Sequence, residues 1–179
     1  MKAPVRIAVV GPESSGKTTL TEALAHHYRC GYTKEYARYF LQEQGPTYTR
    51  EDLLGIAQGQ LMVEAEAQRL TGEHGGKLIV CDTDMITIRI WSEEKYCAVD
   101  PLLAKLAADV HYDLWLLCSP DIPWEADPLR ENPLDRDRLF TVYAQALKAM
   151  ARPYLVVSGT HEDRMHDAIR TIDALIATR

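Results

Sequence analysis

The segment from residue 11 to residue 18 constrains this chain more than any other part of its sequence. It satisfies the pattern G-x-x-x-x-G-K-[ST] and reads Gly11-Pro12-Glu13-Ser14-Ser15-Gly16-Lys17-Thr18. An apolar run typical of a buried strand, Val5–Val10, precedes it, and apolar residues at helical spacing follow it as far as Tyr28. A strand, a glycine-rich turn and a helix in this order predict a loop that wraps around phosphate with its backbone N–H groups.

Such a loop predicts a site for ATP and Mg²⁺. We expect Lys17 to reach the β- and γ-phosphates and the Thr18 hydroxyl to bind Mg²⁺. Asp82 closes the apolar run Leu78–Cys81, where a metal-holding carboxylate belongs, although a helix cap or a solvated strand-end carboxylate is the alternative. Asp84 could bind substrate, complete the metal shell or cap the next helix, and the sequence leaves these roles open. The residues predicted to contact ATP are Gly11, Glu13, Ser14, Ser15, Gly16, Lys17, Thr18 and Thr19.

Strand-like and helical segments alternate along the whole chain. A second strand is predicted at residues 32–36, and a long helix follows with Thr49 as its cap. Further strands are predicted at Leu78–Cys81, Leu114–Cys118 and Tyr154–Val157, and helices separate them. This alternation predicts an α/β fold with a mostly parallel sheet flanked by helices. The length of 179 residues suits one domain, residues 1–179.

A proline-rich segment, Asp121–Arg138, follows the strand predicted at Leu114–Cys118 and carries three arginines among acidic residues. A phosphoryl-transfer enzyme must neutralise charge on the γ-phosphate and exclude water, and arginines on a closing segment do both. We therefore predict a short lid at about residues 121–138, in which Arg130 and Arg136 serve catalysis. The alternative is a solvated loop whose arginines, Arg138 included, pair with Asp127, Glu131, Asp135 and Asp137.

Several segments, taken in order, resemble the ribosylnicotinamide kinase domain of the NadR-type family, within the P-loop NTPase superfamily. They are Gly11–Leu20, Glu35–Arg38, Asp82–Asp84, Ile90–Glu93, Tyr112–Leu114, Pro120–Trp124 and Asp127–Arg130. The last two are far more specific to this family than the phosphate loop is. The resemblance implies a nucleoside- or nucleotide-kinase-like fold. It also implies transfer of the ATP γ-phosphoryl group to the ribose 5′-hydroxyl of nicotinamide riboside, giving nicotinamide mononucleotide. The alternatives are a kinase of another nucleoside or nucleotide, and a P-loop ATPase or binding module without kinase activity.

The resemblance also implies an acceptor site. Glu35 would orient the acceptor hydroxyl or take its proton, unless it is a surface carboxylate paired with Arg38. Aromatic side chains would stack on the flat, cationic nicotinamide ring, unless they pack in the core. The residues predicted to contact the substrate are Glu35, Tyr36, Arg38, Asp84, Trp91, Tyr96, Trp124 and Asp127.

Charge and composition restrict the partners. The net charge of −6, from 20 Lys and Arg against 26 Asp and Glu, argues against general nucleic-acid binding. No apolar run approaches the roughly 18 residues of a membrane helix, and the start of the chain shows no signal peptide. The cysteines form no C-x-x-C pair, so we expect neither zinc nor disulfides. We expect a cytoplasmic enzyme acting on a small nucleoside, with its oligomeric state open. Full-length family members add a DNA-binding segment and an adenylyltransferase domain, and we expect neither activity here.

Overall fold

The computed structural model describes residues 3–130 and 133–178. Glu131, which the alternative interpretation of the lid names as an ion-pair partner of its arginines, lies outside the described residues. In the order of the chain, the elements are β1 (Val5–Val10), α1 (Lys17–Tyr28), β2 (Gly31–Thr33), α2 (Tyr36–Gln44), α3 (Arg50–Glu73), β3 (Leu78–Asp82), α4 (Met85–Tyr96), α5 (Pro101–Asp109), β4 (Leu114–Cys118), α6 (Arg136–Ala149), β5 (Tyr154–Val157) and α7 (His161–Ala177).

The five strands form one parallel sheet in the order β2-β3-β1-β4-β5. The central strand β1 pairs with β3 on one side and β4 on the other, which sets Val9 opposite both Asp82 and Leu116. One apolar cluster packs α3, α4, α5 and α6 on one face of the sheet, and a second packs α1 and α7 on the other. The predicted parallel sheet flanked by helices is therefore confirmed.

This topology places the phosphate loop and Asp82 at the same edge of the sheet. The loop leaves the carboxyl end of β1, and Asp82 is the last residue of the neighbouring β3. Ligands of open α/β sheets bind at this edge because connections leave room between helices there.

The predicted second strand is wrong at its end. β2 stops at Thr33, and the chain enters α2 at Tyr36, a helix that the sequence analysis missed. Only Ala37 and Leu41 of α2 are buried, so its apolar stripe is short. The predicted lid also shortens, because Arg136 already begins α6.

The helix cap expected at Thr49 is present, and a second cap lies at Thr160. Thr49 accepts from the backbone N–H of Asp52 in a capping box that begins α3, and Thr160 with Asp163 forms another at α7. Among the described helices, none is both long and apolar enough to cross a membrane.

Candidate active site

Two glycines give the phosphate loop its shape. Gly11 has φ of +140°, and a Cβ there would lie 2.7 Å from the carbonyl oxygen of Cys118 on β4. Gly16 has φ of +82° and caps α1 in the left-handed conformation. The Ser15 hydroxyl and the Lys17 ammonium both donate to the carbonyl oxygen of Pro12, at 2.8 and 2.9 Å. The loop is therefore closed on itself, with a cation at its centre.

Thr18 and Asp82 form a hydrogen-bonded pair beside this loop. The Thr18 hydroxyl donates to Oδ2 of Asp82 at 2.6 Å, while Oδ1 is buried without a hydrogen-bond partner among the described residues. Burial, and then the negative charge of Glu35, raise the pKa of Asp82 to about 6. A cation bound beside the Thr18 hydroxyl and this unpaired oxygen would stabilise the ionised carboxylate of Asp82.

These groups fit Mg²⁺ bound together with a nucleotide. Mg²⁺ is usually held by one or two protein oxygens, phosphate oxygens and water, so it needs no cage of side chains. Within residues 3–130 and 133–178, no three His, Cys, Asp or Glu side chains cluster to make such a cage. Thr18 and Asp82 are the residues that would hold the ion.

Glu35 faces the loop from the start of α2. It is the N-cap residue of that helix, and its Oε1 accepts a long hydrogen bond, 3.4 Å, from the hydroxyl of Thr83. Thr83 itself has φ of +76°, a left-handed conformation that a β-branched residue adopts only when its surroundings enforce it. The carboxylate is half-buried and lines the same cavity as Lys17 and Thr18.

The proline-rich segment is docked on the phosphate loop at Ser14. The backbone N–H of Glu125 donates to the Ser14 hydroxyl at 2.9 Å, and Arg130 approaches that oxygen at 3.4 Å. Arg136 donates to the carbonyl oxygens of Ser14 and Ile122, both at 3.0 Å. Two predicted lid arginines therefore face the loop instead of solvent.

The alternative interpretation of the lid holds for its third arginine. Arg138 is half-exposed and binds Glu94 and Asp135. Trp124 lies close to the other two guanidinium groups. Its ring centre is 5.8 Å from Cζ of Arg130 and 5.9 Å from Cζ of Arg136.

Two adjoining cavities, of about 280 and 260 Å³, open beside the loop. The first lies over the loop and extends to α2 and the lid, and the second lies between the loop, α4 and α6. Residues that line both are Glu13, Leu41, Trp91, Leu129 and Tyr143. The structure thus offers two connected spaces, as a reaction between two substrates requires.

The structure brings most of the predicted residues to the first cavity. All eight residues predicted to contact ATP line it, from Gly11 to Thr19. Of the other predicted residues, those that line it are Glu35, Arg38, Trp91 and Arg130. Asp127 lies behind Arg38 and pairs with it at 3.0 Å, which joins the lid to α2.

Four predicted substrate contacts lie elsewhere. Asp84 is fully buried as the cap of α4, with Oδ1 bound to Thr87 and Oδ2 accepting from Trp115 Nε1 at 2.7 Å. The helix cap is therefore the role that the structure gives it. Tyr96 donates to the carbonyl oxygen of Tyr48, and neither Tyr36 nor Trp124 lines either cavity.

Arg164 is the main residue that the sequence analysis missed. It is 4% exposed on α7, and its guanidinium donates to carbonyl oxygens of Ser15 at 2.7 Å, Ser119 at 3.0 Å and Gly159 at 3.1 Å. It also pairs with Asp121, where the lid begins. One buried cation therefore ties the phosphate loop to the ends of β4 and β5.

Comparison with known proteins finds similarity both in sequence and in fold. The chain is 26% identical over 150 residues to the "Trifunctional NAD biosynthesis/regulator protein NadR" of Salmonella typhimurium, which covers 79% of this chain and 35% of the relative. The chain thus spans about a third of the length of that relative.

Solved structures share the fold. A NadR protein in complex with NR superposes with a TM-score of 0.75 at 20% identity, covering 98% of this chain and 52% of the other. Thymidylate kinase from Ehrlichia chaffeensis gives 0.70 at 14% identity, covering 96% of this chain and all of that one. The family described as "AAA domain" matches residues 6–164. Because this match covers most of the chain, the phosphate loop included, the chain belongs to that family.

Proposed function

We propose that this chain is an ATP-dependent kinase that phosphorylates the ribose 5′-hydroxyl of nicotinamide riboside, giving nicotinamide mononucleotide. The observation that carries the proposal is that the phosphate loop and the Glu35 carboxylate line one cavity, which adjoins a second at Trp91. The likeness to NadR, in sequence and in fold, supports the choice of acceptor.

The phosphate loop would bind ATP through its backbone and Lys17. The N–H groups at the start of α1 carry partial positive charge, which attracts the phosphates. The Lys17 ammonium, which donates to Pro12 in this structure, would turn to the β- and γ-phosphates. Mg²⁺ at Thr18 and Asp82 would supply charge neutralisation at the phosphate oxygens when bound.

Glu35 is the group that would meet the acceptor hydroxyl. Its carboxylate lines the loop cavity, and among the described residues its one side-chain hydrogen bond is the weak bond from Thr83, so it can accept a hydrogen bond from a substrate. A carboxylate at this position orients the attacking oxygen along the line of transfer and takes its proton as the new bond forms.

The docked lid would complete the site. Arg130 and Arg136 bring two positive charges to Ser14 of the loop, where negative charge on the transferred group must be stabilised. The lid is anchored at its start by the pair of Asp121 with Arg164. Beyond that anchor, the described residues of the lid contact Ser14 and form the pair of Asp127 with Arg38, so these are the bonds that opening would break. We therefore expect it to open for substrate entry and product release.

The second cavity would take the acceptor ring. Trp91 lies where the two cavities meet, so a ribose near Glu35 would place its ring against this indole. A cationic pyridinium is attracted by the negative face of an aromatic ring, and neutral bases are attracted less. Glu94 adds a carboxylate at the far wall.

A nucleotide kinase is the second candidate, because thymidylate kinase shares this fold over its whole length. Its acceptor carries a phosphate, which requires free cations in the second cavity. The charges of that cavity are mixed: Arg138 is paired with Glu94 and Asp135, and Lys95 lies 3.7 Å from the ring centre of Tyr48. This balance favours an acceptor without a phosphate.

A panel of acceptors tests the proposal. ATP consumption is measured with nicotinamide riboside, adenosine, cytidine, uridine, thymidine and nucleoside monophosphates. We expect nicotinamide riboside to have a kcat/KM at least about tenfold above every other acceptor, within the reach of one desolvated cation–π contact. A better rate with thymidine monophosphate would favour the nucleotide kinase, and ATP hydrolysis without phosphorylation of any acceptor would contradict both.

A further inference from the structure

The start of α2 carries Glu35, Ala37 and Arg38 of the loop cavity but is not held by its own cap. Glu35, the N-cap residue, makes no side-chain hydrogen bond to the helix that it begins. The first N–H of the helix, that of Tyr36, donates instead to Oε1 of Gln60 on α3, at 2.8 Å. Gln60 is 1% exposed, so water cannot replace this bond. A residue of a different helix therefore fixes the point where Glu35 enters the site.

A buried ion pair sets the orientation of the Gln60 amide. Its Nε2 donates to Oε1 of Glu64 at 3.0 Å, and Glu64 is itself paired with Arg6 at 2.6 Å. The hydroxyl of Tyr112 also donates to Glu64, at 2.8 Å. A carboxylate so surrounded by donors accepts from the amide NH₂ group, which leaves the amide oxygen to face the Tyr36 N–H.

The residue before Gln60 makes room for the ring of Tyr36. A Cβ on Gly59 would lie 2.1 to 2.5 Å from three atoms of that ring, so the ring rests directly on the backbone of α3. Gly55 lies one turn earlier on the same helix, and a Cβ there would meet no atom within 4 Å. The need for glycine is thus specific to position 59.

We propose that Gly59 and Gln60 form a seat for Tyr36 that sets the position of Glu35 relative to the phosphate loop. They are positioning residues, since neither lines a cavity. The phosphate loop is fixed separately, by its glycines and by Arg164. A change in the seat therefore moves Glu35 while the ATP site stays in place. This inference rests on the proposed function, because it takes Glu35 as the group that meets the acceptor.

Gly59→Ala tests the seat, with Gly55→Ala as its matched control. We expect Gly59→Ala to lower kcat roughly tenfold to a hundredfold, as a misplacement of about 1 Å does, while KM for ATP stays within about twofold. Gly55→Ala should leave both constants unchanged. A Gly59→Ala protein with the kcat of the unmodified chain would overturn the inference, as would an equal loss in the control.

A double substitution separates positioning from general damage to the fold. In a Tyr36→Ala chain the ring is gone, so adding Gly59→Ala should lower kcat little further. If Gly59→Ala is equally harmful with and without the ring, the seat does not act through Tyr36 and the inference fails.

Hydrogen exchange of the Tyr36 amide, followed by NMR, gives a measurement that needs no activity. Gln60→Leu and Gly59→Ala should both speed this exchange, and Gly55→Ala should not. If no acceptor in the panel is phosphorylated, the proposed function fails, whereas unchanged exchange in both variants overturns the seat alone. Faster exchange with unchanged kcat would show that the seat does not govern catalysis.

Discussion

Replacing Asp82 with asparagine should stabilise the protein and abolish its activity. The pKa of this buried carboxyl is about 6, against an ordinary 3.8, so the folded chain binds the proton more tightly than the unfolded chain does. Ionisation therefore destabilises the fold, fully above about pH 7 and not at all below about pH 4. This difference of about two units between the folded and the unfolded pKa lowers the free energy of unfolding by about 3 kcal/mol at neutral pH.

The amide of Asp82→Asn carries no charge, yet its oxygen can still accept from the Thr18 hydroxyl. We expect the free energy of unfolding to rise by up to about 3 kcal/mol at pH 7.5, which raises Tm by roughly 5–10 °C. Phosphoryl transfer should be lost, because the Mg²⁺ site proposed at Thr18 and Asp82 loses its carboxylate. Denaturant unfolding and differential scanning calorimetry, from pH 4 to pH 8, measure the difference.

Asp163→Asn is a control of opposite sign. Hydrogen bonds from the side chain and then the backbone of Thr160 lower the pKa of Asp163, so its stabilisation is present at neutral pH and is lost on acidification. This variant should therefore be less stable at pH 7.5. The reasoning is refuted if Asp82→Asn has a lower Tm at pH 7.5. A gain of the same size at pH 4 would show that charge is not its cause.

Three further outcomes follow from the site. Lys17→Ala should abolish phosphoryl transfer while circular dichroism shows an intact fold, and near-normal turnover would contradict the phosphate-loop assignment. Arg136→Ala should lower kcat roughly tenfold with a smaller change in KM, whereas Arg138→Ala, whose partners are Glu94 and Asp135, should not; equal losses in steady-state assays would refute a special role for Arg136. Trp91→Leu should lower kcat/KM for nicotinamide riboside more than for a neutral nucleoside, and equal losses would mean that Trp91 only packs.

Elements whose signals are local were predicted well. The bounds of β1 and β4 match because strands buried inside a parallel sheet leave uninterrupted apolar runs in the sequence. Those of β5 match because this edge strand is apolar throughout, although Tyr154 and Val156 are exposed. α3 begins where expected, since its capping residue Thr49 bonds to Asp52, three residues away. In both cases the signal that marks the element is carried by residues close together in the sequence.

The start of α2 was missed because its signal is not local. The side chain of Glu35 does not cap the helix. The first N–H of α2, that of Tyr36, donates instead to Gln60, 24 residues further along the chain. Tyr36 was predicted to stack on the acceptor ring, but the position of Gly59 draws its ring onto α3. In a sequence, a glycine in the middle of a helix indicates a less stable helix. In the folded chain, the backbone at Gly59 is the surface that the ring of Tyr36 contacts.

The candidate site likewise combines contacts between neighbouring residues with contacts between residues far apart in the sequence. Within the phosphate loop, Lys17 donates to Pro12, only five residues away. Arg164 reaches Ser15 across 149 residues, and Arg136 reaches Ser14 across 122, which only the sheet order makes possible. The phosphate loop thus takes its shape from one short motif but is held in place by distant residues, whereas the proposed acceptor side is assembled wholly from separate elements, with Glu35 at the start of α2 and Trp91 on α4. Trp91, at the junction of the two cavities, is where a difference in the proposed acceptor would act.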